Sequence, residues 1–333
     1  MQSKLGLSSL GIWLLAITLM VGCGNEPEPM KSKSLHRFVE APVISGVLSK
    51  DTKLIALLTS DQQISVWDTV SQKKIHSWSP RVFNGEINHV ALSGNNRRLA
   101  VAGHWSVNML NLVDGSVITS WDVVGFQASA TVSQLHVDHT GHKVLVGMSD
   151  GAVLSVDLNS GYTLKLDHHK LQITRLAYDG DNGFAISGST DKNFAYWGVT
   201  DGDISYQHNF RSRVTALAVD NESNKLFVSD ALTDHLILDK SSGEKLSNLS
   251  FFERFRFFRH GFFVEKGKYL FTTSPKNVIT LWDTANGDEI ISWTIKRYTA
   301  EATVMDLSKN AAGDLVTLSS DGALQVWDYR KYL

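Results

Sequence analysis

Three histidines and one aspartate lie close together in the chain and are its clearest candidates for metal chemistry. They are His136, Asp138, His139 and His142, and imidazole nitrogens with a carboxylate are ligands that zinc prefers. The surrounding residues alternate as in a β-strand that ends in a turn, and alternation sends successive side chains to opposite faces. We therefore expect these side chains to diverge on the surface of a turn, and the sequence predicts no metal site.

The signatures of nucleophilic and nucleotide-dependent catalysis are missing from the sequence. There is no G-x-S-x-G, no H-E-x-x-H, no phosphate-binding loop and no G-x-G-x-x-G that opens a helical pattern. The formal net charge of −2 argues against a nucleic-acid-binding protein, which would carry a basic excess. The sequence predicts a protein that is not an enzyme and binds neither a cofactor nor nucleic acid.

The polar residues that could do chemistry lie within a repeated pattern. The segments "ISVWDT" at 64–69, "VITLWDT" at 278–284 and "LQVWDY" at 324–329 are near copies, with weaker copies between them. Successive copies are 41–46 residues apart, and the residues at the position of their aspartate are Asp68, Asn111, Asp157, Gly198, Asp239, Asp283 and Asp328. Seven such units, rich in short β-branched and aromatic runs, predict an all-β fold of four-stranded antiparallel units.

Turn residues recur at fixed distances from this position and divide each unit into strands a, b, c and d. Asp61, Asp150, Asp191 and Asp321 lie seven residues before it, where a carboxylate accepts hydrogen bonds from turn backbone. Glycines that follow it by four residues suit the turn between strands c and d. We interpret the aspartates as structural, and we expect Trp78, Trp121 and Trp293, near the end of strand d, to pack against the outer strand.

This pattern resembles the WD-repeat family across residues 34–333. In "SGSTDKNFAYWG" (187–198), the residues Ser187, Asp191 and Trp197, together with His169, fall where the family places a structural hydrogen-bonding tetrad. The resemblance implies a seven-bladed β-propeller that serves as a protein-interaction scaffold. The sequence after the last strand c is short, so we expect "SLHRFVE" (34–40) to pair as the outer strand of the seventh blade and to close the ring without an exposed edge.

The N-terminal residues predict export and attachment to a membrane. Met1–Lys4 carries a positive charge and Leu5–Gly22 is apolar, which is typical of a signal peptide over residues 1–22, although such a run could also remain as an anchor. The segment "LMVGC" resembles the lipobox of bacterial lipoproteins, in which the cysteine, here Cys23, is acylated. That resemblance implies a lipid-anchored protein of the cell envelope, and Gly24 points to the periplasmic face of the outer membrane. Residues 23–33 would form the lipidated tether.

A cationic and aromatic surface is the sequence's best candidate for partner recognition. In an antiparallel meander the d–a and b–c connections lie at one end of the unit, and the a–b and c–d turns at the other. Three consecutive d–a connections are basic and aromatic, and the residues that we predict to bind a partner are Arg211, Arg213, Phe251, Phe252, Arg254, Phe255, Arg256, Lys296 and Arg297. The opposite turns are acidic, with Asp179, Asp181, Asp201, Glu222, Glu244, Asp288 and Glu289. We therefore expect the two ends of the molecule to differ in charge, and we expect an anionic protein partner to bind the basic end.

Two alternatives stay open at this point. In the first, the phenylalanines of 257–263 are core residues of strand a and the arginines are merely solvated. In the second, the protein is a propeller enzyme or small-ligand binder that uses the central channel. Strand a supplies mostly Val, Leu, Ala and Ser, with His89, His136 and Asp306 as exceptions, and convergence of these three would favour the second alternative. The leading prediction is a monomeric, membrane-tethered scaffold that binds a protein.

Overall fold

Short antiparallel strands make up nearly all of the regular structure in the computed structural model, which describes residues 30–180, 182–251, 256–275 and 277–333. The first fourteen strands are β1 (Ser34–Arg37), β2 (Val43–Leu48), β3 (Leu54–Thr59), β4 (Ile64–Asp68), β5 (Lys74–Trp78), β6 (Ile87–Leu92), β7 (Arg98–Gly103), β8 (Ser106–Asn111), β9 (Val117–Asp122), β10 (Val132–Val137), β11 (Lys143–Met148), β12 (Val153–Asp157), β13 (Tyr162–Leu166) and β14 (Ile173–Tyr178). The others are β15 (Phe184–Ser189), β16 (Asn193–Gly198), β17 (Ile204–Asn209), β18 (Val214–Asp220), β19 (Lys225–Asp230), β20 (His235–Asp239), β21 (Lys245–Asn248), β22 (His260–Val264), β23 (Tyr269–Thr273), β24 (Val278–Asp283), β25 (Glu289–Thr294), β26 (Val304–Lys309), β27 (Leu315–Ser319) and β28 (Ala323–Trp327). Two 3-10 turns occupy Pro80–Val82 and Arg330–Tyr332.

These strands form seven four-stranded sheets, which are the blades of a propeller. Blades one to six each use four consecutive strands, beginning with β2–β5 and ending with β22–β25. Each blade runs from its innermost strand a to its outermost strand d. The predicted seven-bladed, four-stranded architecture is therefore confirmed.

The seventh blade contains strands from both ends of the described chain. Its order is β1-β28-β27-β26, and β1 pairs antiparallel with β28 from Ser34 opposite Val326 to Arg37 opposite Ala323. Just beyond this pairing, the Phe38 N–H donates to the Gly322 carbonyl at 2.9 Å. The prediction that residues 34–40 complete blade seven is confirmed, with the strand itself ending at Arg37.

The hydrophobic core lies between neighbouring blades. Strands b and c are buried on both faces because each blade is covered on either side, and Ile55, Leu57 and Leu58 of β3 have no exposed surface. Burial of one such side chain contributes roughly 1.5–3 kcal/mol. The outer strands alternate instead, as in β9, where exposed and partly buried residues take turns. The core thus fixes the blades, and their connecting loops are left to carry function.

Candidate interaction surface

Two of the three basic connections present cations on loops that the blades hold in place. Arg211 and Arg213 follow β17 and are exposed. Their loop is anchored because Phe210 is buried and the Ser212 N–H donates to the Asp230 carboxylate at 3.0 Å. The Ala231 N–H also donates to the Arg213 carbonyl at 3.0 Å. The backbone is therefore fixed while both guanidinium groups face solvent.

The connection that follows β25 is held in the same way and presents Lys296 and Arg297, which are both exposed. The Gln325 amide bonds the Lys296 backbone twice, accepting from its N–H at 2.9 Å and donating to its carbonyl at 3.0 Å. The Tyr298 N–H donates to the Asp321 carboxylate at 2.7 Å. This connection places two further cations at the d–a end of the propeller.

Arg37 belongs to this basic sector, and sequence reasoning did not include it. Its guanidinium lies 5.1 Å from the centre of the Tyr298 ring, which is a cation–π distance. It also donates to the carbonyls of Asp321 and Glu40. Arg37 lies on β1, so the closure of blade seven brings it beside a loop that is about 260 residues away in sequence. The sequence signal that could have found it is its position in the predicted closing strand.

The middle connection differs from the prediction, because Arg256 and Phe251 are packed inside the molecule. The Arg256 side chain is 9% exposed and its Nη1 lies 2.7 Å from the Glu289 carboxylate. Its guanidinium carbon lies 5.3 Å from the Phe251 ring and 5.0 Å from the Trp282 ring. Arg256 and Phe251 therefore pack against their blade rather than projecting from an open loop, and their contact with a partner stays a prediction. Phe252, Arg254 and Phe255 lie outside the described residues, and their role stays a prediction.

The Arg256–Glu289 ion pair also corrects the expected separation of charge between the two ends. Glu289 follows a c–d turn and was expected opposite the d–a loops. After β21 the chain crosses to the neighbouring blade, where the Ser250 N–H donates to the Gly287 carbonyl at 2.9 Å. The connection therefore lies along blade six rather than above it. Asp179 is likewise fully buried and paired with Lys240 at 2.6 Å, so neither carboxylate adds to an acidic face, and Asp181 lies outside the described residues.

The d–a end also carries acidic groups, around blade two. A cavity of about 520 Å³ there is lined by residues that include Glu86, Asp122, Trp105 and Trp121. Both carboxylates are exposed and the Trp105 side chain is 54% exposed. We call the sector that holds Arg37, Arg211, Arg213, Lys296 and Arg297 the basic sector, which is distinct from the acidic groups around blade two.

The histidine cluster diverges in the structure. His136 is enclosed beside Tyr178, with ring centroids 5.7 Å apart, and burial lowers the pKa of His136 to about 4, against the opposing charge of Asp138. His139 packs on Gly94 of the preceding blade, and the His142 Nδ1 lies 3.3 Å from the Arg98 guanidinium. Within residues 30–180, 182–251, 256–275 and 277–333, no three His, Cys, Asp or Glu side chains form a group that could hold a metal.

His89, His136 and Asp306 do not form a common site. His136 and Asp306 line the central channel. Asp306 is occupied by backbone donors, since its carboxylate accepts from the Leu48 N–H and from its own neighbour's N–H, each at 2.8 Å. Burial raises the pKa of Asp306 to about 6, although these two donors act in the opposite direction. Burial also lowers the pKa of His89, against a hydrogen bond to the backbone of Val132.

Sequence reasoning missed a cluster of basic residues in the channel lining, Arg175, Arg259 and His260. Arg175 lies on β14, immediately after an irregularity in the pairing with β15. His89, Gln134 and Asp306 follow the same irregularity in their own blades. An alignment of the strand-a sequences at this irregularity would have predicted that Arg175 lines the channel.

A hydrogen-bonded tetrad in blade four has the arrangement that the sequence resemblance implied. The His169 Nε2 lies 2.8 Å from the Ser187 hydroxyl, and the Trp197 Nε1 donates to the same oxygen at 3.2 Å. The His169 Nδ1 lies 3.3 Å from the Asp191 carboxylate. Burial tends to raise the pKa of Asp191, but this contact and two backbone N–H donors outweigh it and bring the value to about 2. The tetrad joins the d–a loop, strand b and strand c of one blade.

The same blade matches a model of a known family. The model described as "WD domain, G-beta repeat" matches residues 160–197, which end at the tryptophan of the tetrad. Seven blades and this match agree with each other. The chain is a seven-bladed β-propeller whose fourth blade matches the WD-repeat model.

The chain is also similar to curated proteins, one of which is named as WD repeat-containing. The chain is 24% identical to the Retinoblastoma-binding protein 5 homolog of Drosophila melanogaster over 206 residues, which cover 58% of this chain and 40% of that protein. It is 27% identical to the WD repeat-containing protein SL1-17 of Schistosoma mansoni over 165 residues, covering 49% of this chain and 52% of that protein. The matched regions thus span about half the length of these relatives or less.

The turn aspartates of the repeats are structural, as predicted. Asp150 accepts from the Gln127 N–H at 2.8 Å and Asp321 from the Tyr298 N–H at 2.7 Å, so each ties a d–a loop to its blade. Asp230 does this in blade five and was missed because it lies two residues further from the repeat position than the others. Among the described residues, no helix is long and apolar enough to cross a bilayer; Cys23 and residues 1–22 lie outside them.

Proposed function

We propose that this WD-repeat propeller is a non-catalytic, monomeric scaffold that binds a protein partner at the basic sector of its d–a end. The observation that carries the proposal is the group of exposed cations, Arg211, Arg213, Lys296 and Arg297, on two loops whose backbones are fixed by hydrogen bonds. Charged side chains on a rigid backbone bind with a smaller loss of conformational freedom than those on a mobile loop. WD-repeat propellers typically act as protein-interaction scaffolds, which agrees with this use of the surface.

The partner that fits this sector has an acidic surface. Exposed cations raise the association rate of an oppositely charged protein and align it before contact. Each solvent-exposed ion pair contributes only about 0.2–1 kcal/mol, so the cations would orient the partner more than hold it. Half-exposed Tyr298, stacked on Arg37, supplies an aromatic contact within the same sector.

The proposal includes attachment to a membrane through Cys23. The apolar run before this residue and its position in "LMVGC" support acylation, and Gly24 supports the periplasmic face of the outer membrane. The ten residues that follow Cys23, 24–33, reach roughly 35 Å when extended, which would hold the propeller near the lipid surface. Intact mass spectrometry of the mature protein tests this part: an N-terminus at Cys23 carrying acyl chains is expected, and an unmodified Cys23 would refute it.

Site-specific photocrosslinking in intact cells tests the docking surface. A crosslinking amino acid at Arg211 or Arg297 is expected to trap one protein in common. The matched controls are Glu222 and Glu244, which are exposed on turns at the opposite end. Equal capture from all four positions, or different proteins from Arg211 and Arg297, would refute a single docking surface on the d–a end.

A further inference from the structure

The central channel contains a cavity of about 580 Å³ whose lining includes the cations Lys50, Arg175 and Arg259 and the carboxylates of Asp138 and Asp306. A volume of this size suits a small molecule. Arg175 on blade four and Arg259 at the entrance to blade six line one part of it, together with His260. Arg175 lies near the start of β14 and Arg259 directly precedes β22, so both lie near the d–a end of the channel.

Arg175 is held in place by backbone carbonyls. It donates to the Thr174 carbonyl at 2.6 Å and, across blade five, to the Arg259 carbonyl at 2.9 Å. The equivalent position of blade five is Ala216, which follows the same irregularity in β18. The Arg175 side chain thus reaches from blade four, past blade five, to the connection that enters blade six.

Arg259 stands beside it without a carboxylate partner. Its guanidinium reaches the Thr303 hydroxyl of blade seven at 3.5 Å. In the described part of the chain, neither Arg175 nor Arg259 forms an ion pair, although Lys240 and Arg256 do. Two partly buried guanidinium groups therefore line the same channel, and their hydrogen bonds among the described residues are to neutral oxygens.

Burial and the two positive charges lower the pKa values of Arg175 and His260. Burial lowers the pKa of Arg175 to about 10, and the charge of Arg259 acts in the same direction. Burial also lowers the pKa of His260 to about 3, assisted by the two arginines. His260 is consequently neutral at physiological pH, when its imidazole donates or accepts a hydrogen bond without adding charge.

The geometry points to a binding site for a small oxyanion, carrying a carboxylate or phosphoryl group, between Arg175 and Arg259 in the channel. The planar guanidinium presents paired N–H donors that match the oxygens of such groups. An anion would relieve the repulsion between these two partly buried like charges. This site is independent of the proposed docking surface, whose cations lie on the outer loops.

Isothermal titration of the full-length chain with inorganic phosphate and with succinate, at constant ionic strength, tests the site. Saturable binding in the millimolar range or tighter is expected for at least one of them. Arg175→Gln and Arg259→Gln are each expected to weaken it by about tenfold or more, because each removes a charge-assisted contact. Arg211→Gln is the matched control, since it removes an equal charge from the exposed surface and should leave the affinity unchanged.

Three outcomes would overturn the proposal. They are the absence of saturable binding of either anion by the wild type, wild-type affinity in both channel variants, and a loss of affinity in Arg211→Gln as large as that in the channel variants. If a glutamine variant does not fold, Arg175→Lys and Arg259→Lys retain the charge and take its place. They are expected to weaken binding of the anion less than glutamine but measurably, because an ammonium group lacks the paired donors. Wild-type affinity in the lysine variants would also contradict the geometry.

A second titration separates a free anion from an acidic side chain supplied by a bound protein. Saturating phosphate is expected to leave the affinity for the crosslinked partner unchanged, because that partner contacts the outer loops. Competition between phosphate and the partner would show that the channel receives an acidic side chain of the partner and would contradict a site for a free anion.

Discussion

The buried ion pair between Lys240 and Asp179 gives the sharpest test of how adjacent blades are joined. Asp179 follows β14 in blade four, and Lys240 follows β20 in blade five. Their side chains are 0% and 6% exposed, and Nζ lies 2.6 Å from the carboxylate. The ammonium group also donates to Asn221 at 2.7 Å, and the Tyr196 hydroxyl donates to Asp179 at 2.6 Å.

We expect Lys240→Met to lower the free energy of unfolding by about 3–5 kcal/mol, because it leaves a fully buried carboxylate whose remaining side-chain donor, among the described residues, is the Tyr196 hydroxyl. Asp179→Asn should cost a similar amount, since it leaves a buried ammonium group among neutral acceptors. The double variant removes both charges and should recover much of the loss, giving a coupling energy of about 2 kcal/mol or more.

Urea unfolding followed by tryptophan fluorescence measures these values. Lys170→Met is the matched control, because Lys170 pairs with Asp167 at 3.9 Å and both side chains are more than three-quarters exposed. Such a pair contributes about 0–1 kcal/mol. Losses for Lys240→Met that match the control, or additive effects in the double variant, would refute the claim that this pair joins the two blades.

Three further predictions concern single side chains. Arg256→Ala should lower the free energy of unfolding by about 2–4 kcal/mol, because it removes a buried ion pair and contacts with aromatic rings. Arg213→Ala, at an exposed residue, should change it by less than about 0.5 kcal/mol. Equal urea midpoints for the two variants would contradict the burial of Arg256. Trp78→Phe should lower the free energy of unfolding by about 1 kcal/mol more than Trp293→Phe. The indole N–H of Trp78 donates to a carbonyl at 2.9 Å, whereas that of Trp293, buried at the equivalent position, has no partner among the described residues. A loss for Trp293→Phe equal to or greater than that for Trp78→Phe would contradict this. His136 has a folded-state pKa of about 4, below the unfolded value of about 6.5, so its contribution to stability is complete above that pH and declines as the pH falls towards 4; His136→Asn should flatten this decline in thermal melts, and an unchanged slope would argue against a buried neutral imidazole.

The repeats, the blade count and the closing strand could be predicted because each blade contains its own turn residues and strand pattern. Local spacing also determines which loop each aspartate supports, although Asp230 was missed where that spacing changed. The position of Arg256 could not be predicted, since its loop is held by the Gly287 carbonyl of another blade. Such contacts depend on the order of blades in space.

The channel illustrates the same limit. Arg175 is visible in the sequence as a polar residue within a strand, but its partner is a carbonyl that lies 84 residues away. Strand alternation indicates that such a residue faces the channel or a neighbouring blade. It does not indicate that a second arginine stands beside it. Pairing across non-adjacent blades requires coordinates.

The affinity of the crosslinked partner for charge-reversed propeller tests the central claim most directly. In the purified, full-length protein, Arg211, Arg213, Lys296 and Arg297 would be changed to glutamate together, with Glu222→Lys and Glu244→Lys at the opposite end as the control. The account predicts an affinity lower by about 10- to 100-fold for the glutamate variant, chiefly through slower association, with an unchanged urea midpoint and wild-type affinity for the control. Wild-type affinity in the glutamate variant, or an equal loss in the control, would contradict a partner surface at the basic sector of the d–a end.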